Sequence, residues 1–359
     1  MKNIQKHGGN LSEEAKRLKI KEKKLLDASA SIVPFKPPKS LKKCLFEAIK
    51  SENIRNYPDC NHTILKEKIS KWHDIPPEMV MPGNGASELF TWAAREAKRT
   101  GVSGIPSPGF SDYERALNCW EANYIHLPIP LPSSNNSPKQ FPLMPETDVI
   151  WITNPHNPSG ELWSKKSLEP LIANKQLIIC DEAFLPLVPN GENESLLPLT
   201  IKHPNIIVIR SLTKLFAIAG LRLGYAVSSP ARLKDWELCR DPWPLNNIAI
   251  AAGINLFDNR GNLKNWINKI QRWVKHEGEW FRSQLLTIEG IDVFHSSANF
   301  YLIKSKSSLL PVRERLAKNH ILVRDCRSFK CLGDQYLRIS LQSRKNNKRI
   351  IRAIKEAIR

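Results

Sequence analysis

Short runs of consecutive apolar residues alternate along this chain with stretches whose apolar positions recur every three or four residues. The runs GVSGI (101–105), DVIWIT (148–153), QLIICDE (176–182), NIIVIRS (205–211) and LGYAVS (223–228) read as strands. Their near-continuous hydrophobicity is that of strands buried on both faces. Between them, ASELFTWAAREAKR (86–99) and SKKSLEPLIANK (164–175) carry helical spacing. The alternation predicts an α/β fold with a mostly parallel sheet and helices on both faces. The Pro/Ser-rich stretch LPIPLPSSNNSPKQFPLMP (127–145) predicts an exposed loop.

After about residue 245 the pattern changes. A long helical stretch (roughly 261–287) leads to FYLIK, a helix, ILVRD, QYLRISL and a C-terminal helix, which predicts a smaller α+β lobe. The expected division is an N-terminal arm (1–40) contributing to the small lobe, a large domain (41–245) and a small C-terminal domain (246–359).

Composition narrows the class. Of 359 residues, 41% are hydrophobic and 25% charged, which excludes wholesale disorder. No apolar run is long enough to span a bilayer, and the N-terminus has no apolar signal-peptide core, so a cytoplasmic protein that does not engage membranes is expected. The seven cysteines include no CxxC pair, so reduced thiols are expected, with no metal site. Lys+Arg exceed Asp+Glu by 54 to 35, a formal net charge of +19. The densest basic clusters, KIKEKK (19–24) and RKNNKR (344–349), are short and carry no nucleic-acid motif, so no nucleic-acid partner is expected. The positive field instead suits a small anionic substrate.

The polar groups gather where strands end, the place where open α/β sheets bind ligands. NPHNPSG (154–160), Asp181-Glu182 and Ser211-Leu212-Thr213-Lys214 each follow an apolar run, and Arg222 lies eight residues after Lys214. Earlier, Pro82-Gly83-Asn84-Gly85-Ala86-Ser87-Glu88 is a glycine turn opening a helix, whose free N–H groups suit a phosphate. A lysine amine that condenses with a carbonyl, an aspartate that keeps a ring nitrogen protonated, and hydroxyls with an arginine around a phosphate describe a site for a phosphorylated aromatic cofactor.

NPHNPSG, DEAF, SLTK and RLGY, in this order, resemble the class I/II aminotransferase group of fold type I pyridoxal 5'-phosphate enzymes, along nearly the whole chain. That resemblance implies the fold type I architecture, a homodimer and pyridoxal 5'-phosphate as cofactor. By it, Lys214 is the Schiff-base lysine and Asp181 the partner of the pyridine nitrogen. Asn157 would reach the ring's 3'-oxygen and Phe110 would stack on the ring. Ala86, Ser87, Ser211, Thr213 and Arg222 would surround the phosphate, with Tyr57 offered to the neighbouring subunit.

His7-Gly8-Gly9-Asn10, LLDASASIVPFKPP (25–38) and ILVRDCRSFKCLGDQYLRISL (321–341) resemble the threonine-phosphate decarboxylase branch of cobalamin biosynthesis. The implied reaction is decarboxylation of L-threonine O-3-phosphate to (R)-1-amino-2-propanol O-2-phosphate. His7, Gly8, Ser31, Asn157, Arg324 and Arg338 would hold this substrate. Arg324 has an alternative reading as a surface ion pair with Asp325. Two departures stand out: Phe184 replaces a tyrosine found in many transaminases, and Ser31 replaces an asparagine of the decarboxylase pattern. The alternative activity is that of a histidinol-phosphate or related aminotransferase. A protein of the same fold turned to binding or regulation is the rival from a different class.

Overall fold

In the computed structural model, which describes residues 8–51, 54–131 and 139–358, the apolar runs form the middle of a seven-stranded sheet. In chain order its strands are β2 (Val80–Gly83), β3 (Ser103–Ser107), β4 (Tyr124–Pro128), β5 (Val149–Thr153), β6 (Leu177–Asp181), β7 (Ile206–Ser211) and β8 (Gly224–Val227). Their spatial order is β2-β8-β7-β6-β5-β3-β4, and only β8 runs against its neighbours. The expectation of a mostly parallel sheet holds. β2 and β4 were not among the expected strands; both lie at the sheet's edges.

The strands are continuously apolar because both faces are covered. Ile150, Ile152, Ile178, Ile206 and Val208 join one core, while the alternate residues Val149, Trp151, Leu177, Ile179, Ile207 and Ile209 join another. The second core is closed by α4 (Ala86–Thr100), α5 (Asp112–Cys119) and α8 (Pro230–Cys239), through Leu89, Phe90, Tyr113, Leu117 and Trp236. The first core takes side chains from α2 (Lys39–Lys50), α3 (Thr63–His73), α6 (Lys165–Asn174), α9 (Asn247–Asp258) and α10 (Arg260–Leu285).

A five-stranded sheet makes the second unit, in the order β1-β11-β12-β10-β9. Its strands are β1 (Leu26–Ala28), β9 (Ile291–Val293), β10 (Phe300–Ser305), β11 (Ile321–Asp325) and β12 (Tyr336–Ser340). β1, which follows the short helix α1 (Leu11–Leu18), pairs with β11, so residues 26–28 belong to this sheet. One face packs on α11 (Leu310–Lys318), α12 (Arg344–Ile358) and the end of α10, through Leu316, Ile350, Ile354, Phe281 and Leu285. The other face looks toward the large sheet.

α10, at about 1.5 Å per residue, is long enough to serve both cores: Leu263, Ile270 and Val274 pack on the large one, Phe281 and Leu285 on the small one. The side chains of α9 also lie in the large core, although the sequence-based division begins the small domain at 246. In the stretch expected to be an exposed loop, Ile129 and Phe141 are buried, and Phe141 packs edge-on against Trp163. Apolar side chains within Pro-rich sequence found a core that turn chemistry does not reveal. No helix among the described residues is long and apolar enough to cross a membrane.

Candidate active site

A pocket lies where the carboxyl ends of the central strands meet the open face of the small sheet, and most of the residues singled out from the sequence line it. β6 ends in Asp181, β7 leads through Ser211 into the short helix α7 (Leu212–Leu215) that carries Lys214, and the loop after β5 supplies Asn157. Phe110 follows β3, and Ala86 and Ser87 open α4 after β2. Gly8, Arg222, Arg324 and Arg338 complete this set. Lys214 and Asp181, 33 residues apart in sequence, share one cavity because β6 and β7 are neighbouring parallel strands that end side by side.

The charged groups are tuned by burial. The Lys214 amine is lowered to about 8, first by desolvation and then by the positive charges of Arg338 and Arg222. It donates to the carbonyl of Ala30 at 3.3 Å. An amine with this pKa is partly unprotonated near neutral pH, which is what a nucleophile requires. Desolvation raises the Asp181 carboxyl to about 6, against the hydrogen bonds from Tyr113 and from the Ala183 N–H. It is therefore ionised at neutral pH and able to face a cation.

At one end the pocket is built for a phosphate. Gly85 caps α4 without any side-chain bond, so the first N–H groups of the helix have no cap of that kind. Its backbone has φ +76°, and a Cβ there would stand 2.3 Å from the Arg222 guanidinium, so glycine is what lets that side chain close over the helix start. The Ser211 and Thr213 hydroxyls, 2.7 Å apart, lie on the same side. Phe110 provides an aromatic wall and Asp181 a buried acceptor.

At the other end stand two arginines. Arg324 and Arg338 are register partners on the antiparallel strands β11 and β12, both buried. Like charges directly opposite one another are unfavourable. Arg338 is lowered to about 9 by burial and then by Arg324. Arg338 donates to Asn157 Oδ1 and to the Ser29 carbonyl, while its Nε is buried without a hydrogen-bond partner. Phe329 lies beside both guanidiniums, 5.3 and 5.7 Å from their centres. The alternative ion pair between Arg324 and Asp325 gives way to another geometry: Asp325 binds Arg327 at 2.6 Å, and Arg324, which lines the pocket, donates to Ser328. A buried pair of cations facing a cavity is a site for anions.

Two expected residues sit elsewhere. Ser31 is not in the pocket wall: held at φ +52°, it turns its hydroxyl to Ser340 Oγ at 2.7 Å, and its neighbours Ser29 and Ala30 line the cavity instead. Tyr57 lies outside the pocket of its own chain, 77% exposed and stacked on Trp243. His7 falls outside the described residues. Gly8, next to it, packs on Ser29, where a Cβ would meet the carbonyl oxygen at 2.5 Å.

Residues that sequence reasoning passed over include Ser29, Phe329 and Tyr113. Phe329 sits in RSFK between the two arginines, inside the stretch 321–341, and Tyr113 lies three residues after Phe110. Phe184, noted as a departure, meets Phe300 edge-on at 5.2 Å and makes that wall apolar.

Comparison with known proteins agrees with this geometry. The family model described as aminotransferase class I and II matches residues 23–354. The chain is 31% identical to the threonine-phosphate decarboxylase of Salmonella typhimurium, over 98% of this chain and 96% of that protein. It is 30% identical to the adenosylcobalamin biosynthesis bifunctional protein CobDQ of Leptospira interrogans, over 98% of this chain and 41% of that longer protein. Among solved structures, the histidinol-phosphate aminotransferase of Clostridium acetobutylicum matches with a TM-score of 0.82 at 27% identity, over 92% of this chain and 98% of that one.

Proposed function

Because this chain belongs to the class I and II aminotransferase family, and within it to the threonine-phosphate decarboxylases, we propose that it converts L-threonine O-3-phosphate to (R)-1-amino-2-propanol O-2-phosphate for corrinoid assembly. The observation that carries this reading is the cross-strand pair Arg324–Arg338, which faces the cavity shared by Lys214 and Asp181. The substrate brings two acid groups, a phosphate and a carboxylate, and planar guanidiniums bind both kinds of oxyanion.

The pocket fits pyridoxal 5'-phosphate: the start of α4 without a side-chain cap, the Ser211 and Thr213 hydroxyls and the Arg222 cradle at Gly85 suit its phosphate. Asp181 suits a protonated ring nitrogen, and Lys214 suits its aldehyde. When bound, the cofactor supplies an electron-withdrawing ring conjugated to the substrate's α-carbon, so that a bond to that carbon can break heterolytically.

The chain's own residues decide which bond that is. Arg324 and Arg338, fixed on adjacent strands, anchor the acid groups and so set the rotation about the α-carbon, holding the carboxylate rather than the hydrogen in the cleavable direction. A guanidinium that grips the departing carboxylate also stabilises the ground state, so the division of the two anions between the two arginines governs rate. The Lys214 amine, with its pKa of about 8, carries a proton that Nζ can deliver to the α-carbon once CO2 has left. Asp181 stays ionised behind it.

A cytoplasmic homodimer completes the reading. Tyr57 and Trp243 stack on the surface, and Phe46 and Ile49 of α2 and Ile54 are exposed as well; exposed apolar side chains such as these are of the kind that a second copy covers.

The test is incubation of the cofactor-loaded protein with threonine phosphate. Release of CO2 with formation of the amino-propanol phosphate is expected, and its loss in Lys214→Ala. Transfer of nitrogen from histidinol phosphate to 2-oxoglutarate without CO2 would overturn the assignment in favour of the aminotransferase.

A further inference from the structure

Beneath the pocket, one side chain touches two of the groups that would hold the cofactor ring. Tyr113 of α5 is 1% exposed, with its hydroxyl 2.6 Å from Asp181 Oδ2 and 2.8 Å from Thr153 Oγ1. Its ring meets Phe110 edge-on, with centroids 5.7 Å apart at 86°, and is itself braced by Phe90 at 5.1 Å. We infer that Tyr113 is a positioning residue for the cofactor ring: its hydroxyl fixes the carboxylate of Asp181 and its ring edge fixes Phe110. The inference rests on the cofactor half of the reading above and not on the identity of the substrate.

The direction of the hydrogen bonds follows from the chemistry of the groups. An ionised carboxylate only accepts, so Tyr113 donates to Asp181. Its single proton thus spent, Tyr113 accepts from the Thr153 hydroxyl. The result is a directed chain from Thr153 through Tyr113 to Asp181. The other carboxylate oxygen, Oδ1, accepts from the Ala183 N–H at 3.0 Å. Each oxygen is therefore held from behind by one donor, and the remaining lone pairs are left for the pocket.

The electrostatic surroundings make this donor matter. Asp181 is buried, with Cys180 before it on β6, Glu182 just after the strand, Asp112 on α5 and the Lys214 amine across the cavity. Glu182 and Asp112 disfavour its charge. Glu182 is turned to the opposite side, where it accepts from Arg210, Ser195 and the Leu196 N–H. The Tyr113 hydroxyl, itself pushed well above its ordinary range by burial and by Asp181, stays a donor throughout the accessible pH range.

Tyr113→Phe keeps the ring and removes the hydroxyl. The apoprotein of this variant should bind pyridoxal 5'-phosphate about tenfold more weakly, the scale of one hydrogen bond to a charged group. The protonation midpoint of Asp181, followed by the carboxyl carbon resonance that disappears in Asp181→Asn, should move upward by about one pH unit. Thr153→Val removes the donor behind Tyr113 and should shift both readouts in the same direction by less. It supplies the same measurements should Tyr113→Phe fail to fold. In an Asp181→Asn background, Tyr113→Phe should change cofactor affinity less than twofold, because the hydroxyl acts through the carboxylate.

An unmoved midpoint and affinity alongside lowered thermal stability would overturn the inference, leaving Tyr113 a core residue only. An equal loss of affinity in the Asp181→Asn background would overturn it too. Protein that binds the cofactor and shows these shifts, yet releases no CO2 from threonine phosphate, would sink the substrate reading and uphold this one. Wild-type protein that binds no pyridoxal phosphate would sink both.

Discussion

Lys214 illustrates how one residue's reactivity is set by neighbours that lie far off in sequence. A lysine at the end of a short helix would ordinarily be protonated at neutral pH. Here burial, Arg338 and Arg222 together bring its amine to about 8. The rate at which apoprotein captures pyridoxal 5'-phosphate, followed as growth of visible absorbance, should rise with pH through about 8 and then level off, because only the unprotonated amine attacks. Arg338→Met removes a like charge, so the protonated form becomes less unfavourable and the midpoint should move upward. Gly85 makes a second test at this scale. Its φ of +76° and the 2.3 Å approach to Arg222 leave no room for a methyl group. Gly85→Ala should push the flexible guanidinium out of the phosphate cradle and weaken cofactor binding at least tenfold by equilibrium titration.

At the scale of elements, strand ends are the unit of construction. The Glu182 N–H bonds the Ile209 carbonyl, and beneath this junction the Arg210 side chain binds Glu182 at 2.7 Å and forks onto both oxygens of Glu192. Arg210 and Glu182 are both buried, so the network clamps the end of β6, which carries Asp181, to the end of β7, which leads to Lys214. Arg210→Met should cost about 3–5 kcal/mol, because it strands a buried carboxylate. A fall in the urea midpoint checks this. Elements also explain what was legible. Five inner strands and their motifs stand out because apolar runs and turn residues are local signals. β2 and β4 escaped notice: β2 contains Pro82 and the glycine turn, and β4 alternates exposure at the sheet's edge. Ser31 was placed by likeness of motif, whereas a single left-handed backbone angle turns it away from the pocket.

The whole molecule brings a large sheet and a small one together around one cavity, with α10 rooted in both cores. The large sheet offers the groups suited to the cofactor and the small sheet the arginines, so the site exists only where the two meet. The proposed dimer would use the exposed Tyr57 and Trp243 at a scale beyond the single chain. Sedimentation should give twice the chain mass. Tyr57→Ala should weaken cofactor binding severalfold while leaving the unfolding midpoint within about 0.5 kcal/mol of wild type, the range for surface substitutions. An unchanged affinity would remove Tyr57 from any shared site.

What the amino-acid order determined by itself was the succession of strands and helices, the motifs at their ends and the chemistry those motifs can perform. Each of these rests on spacing and turn preference within a dozen residues. Only the folded molecule decided that Arg324 stands opposite Arg338, that Tyr113 reaches beneath Asp181, that Phe141 lies in the core and that Ser31 faces Ser340. These depend on strand register and on packing between segments as many as 309 residues apart. Such pairings are selected by the free energy of the assembled core, which no local stretch of chain carries.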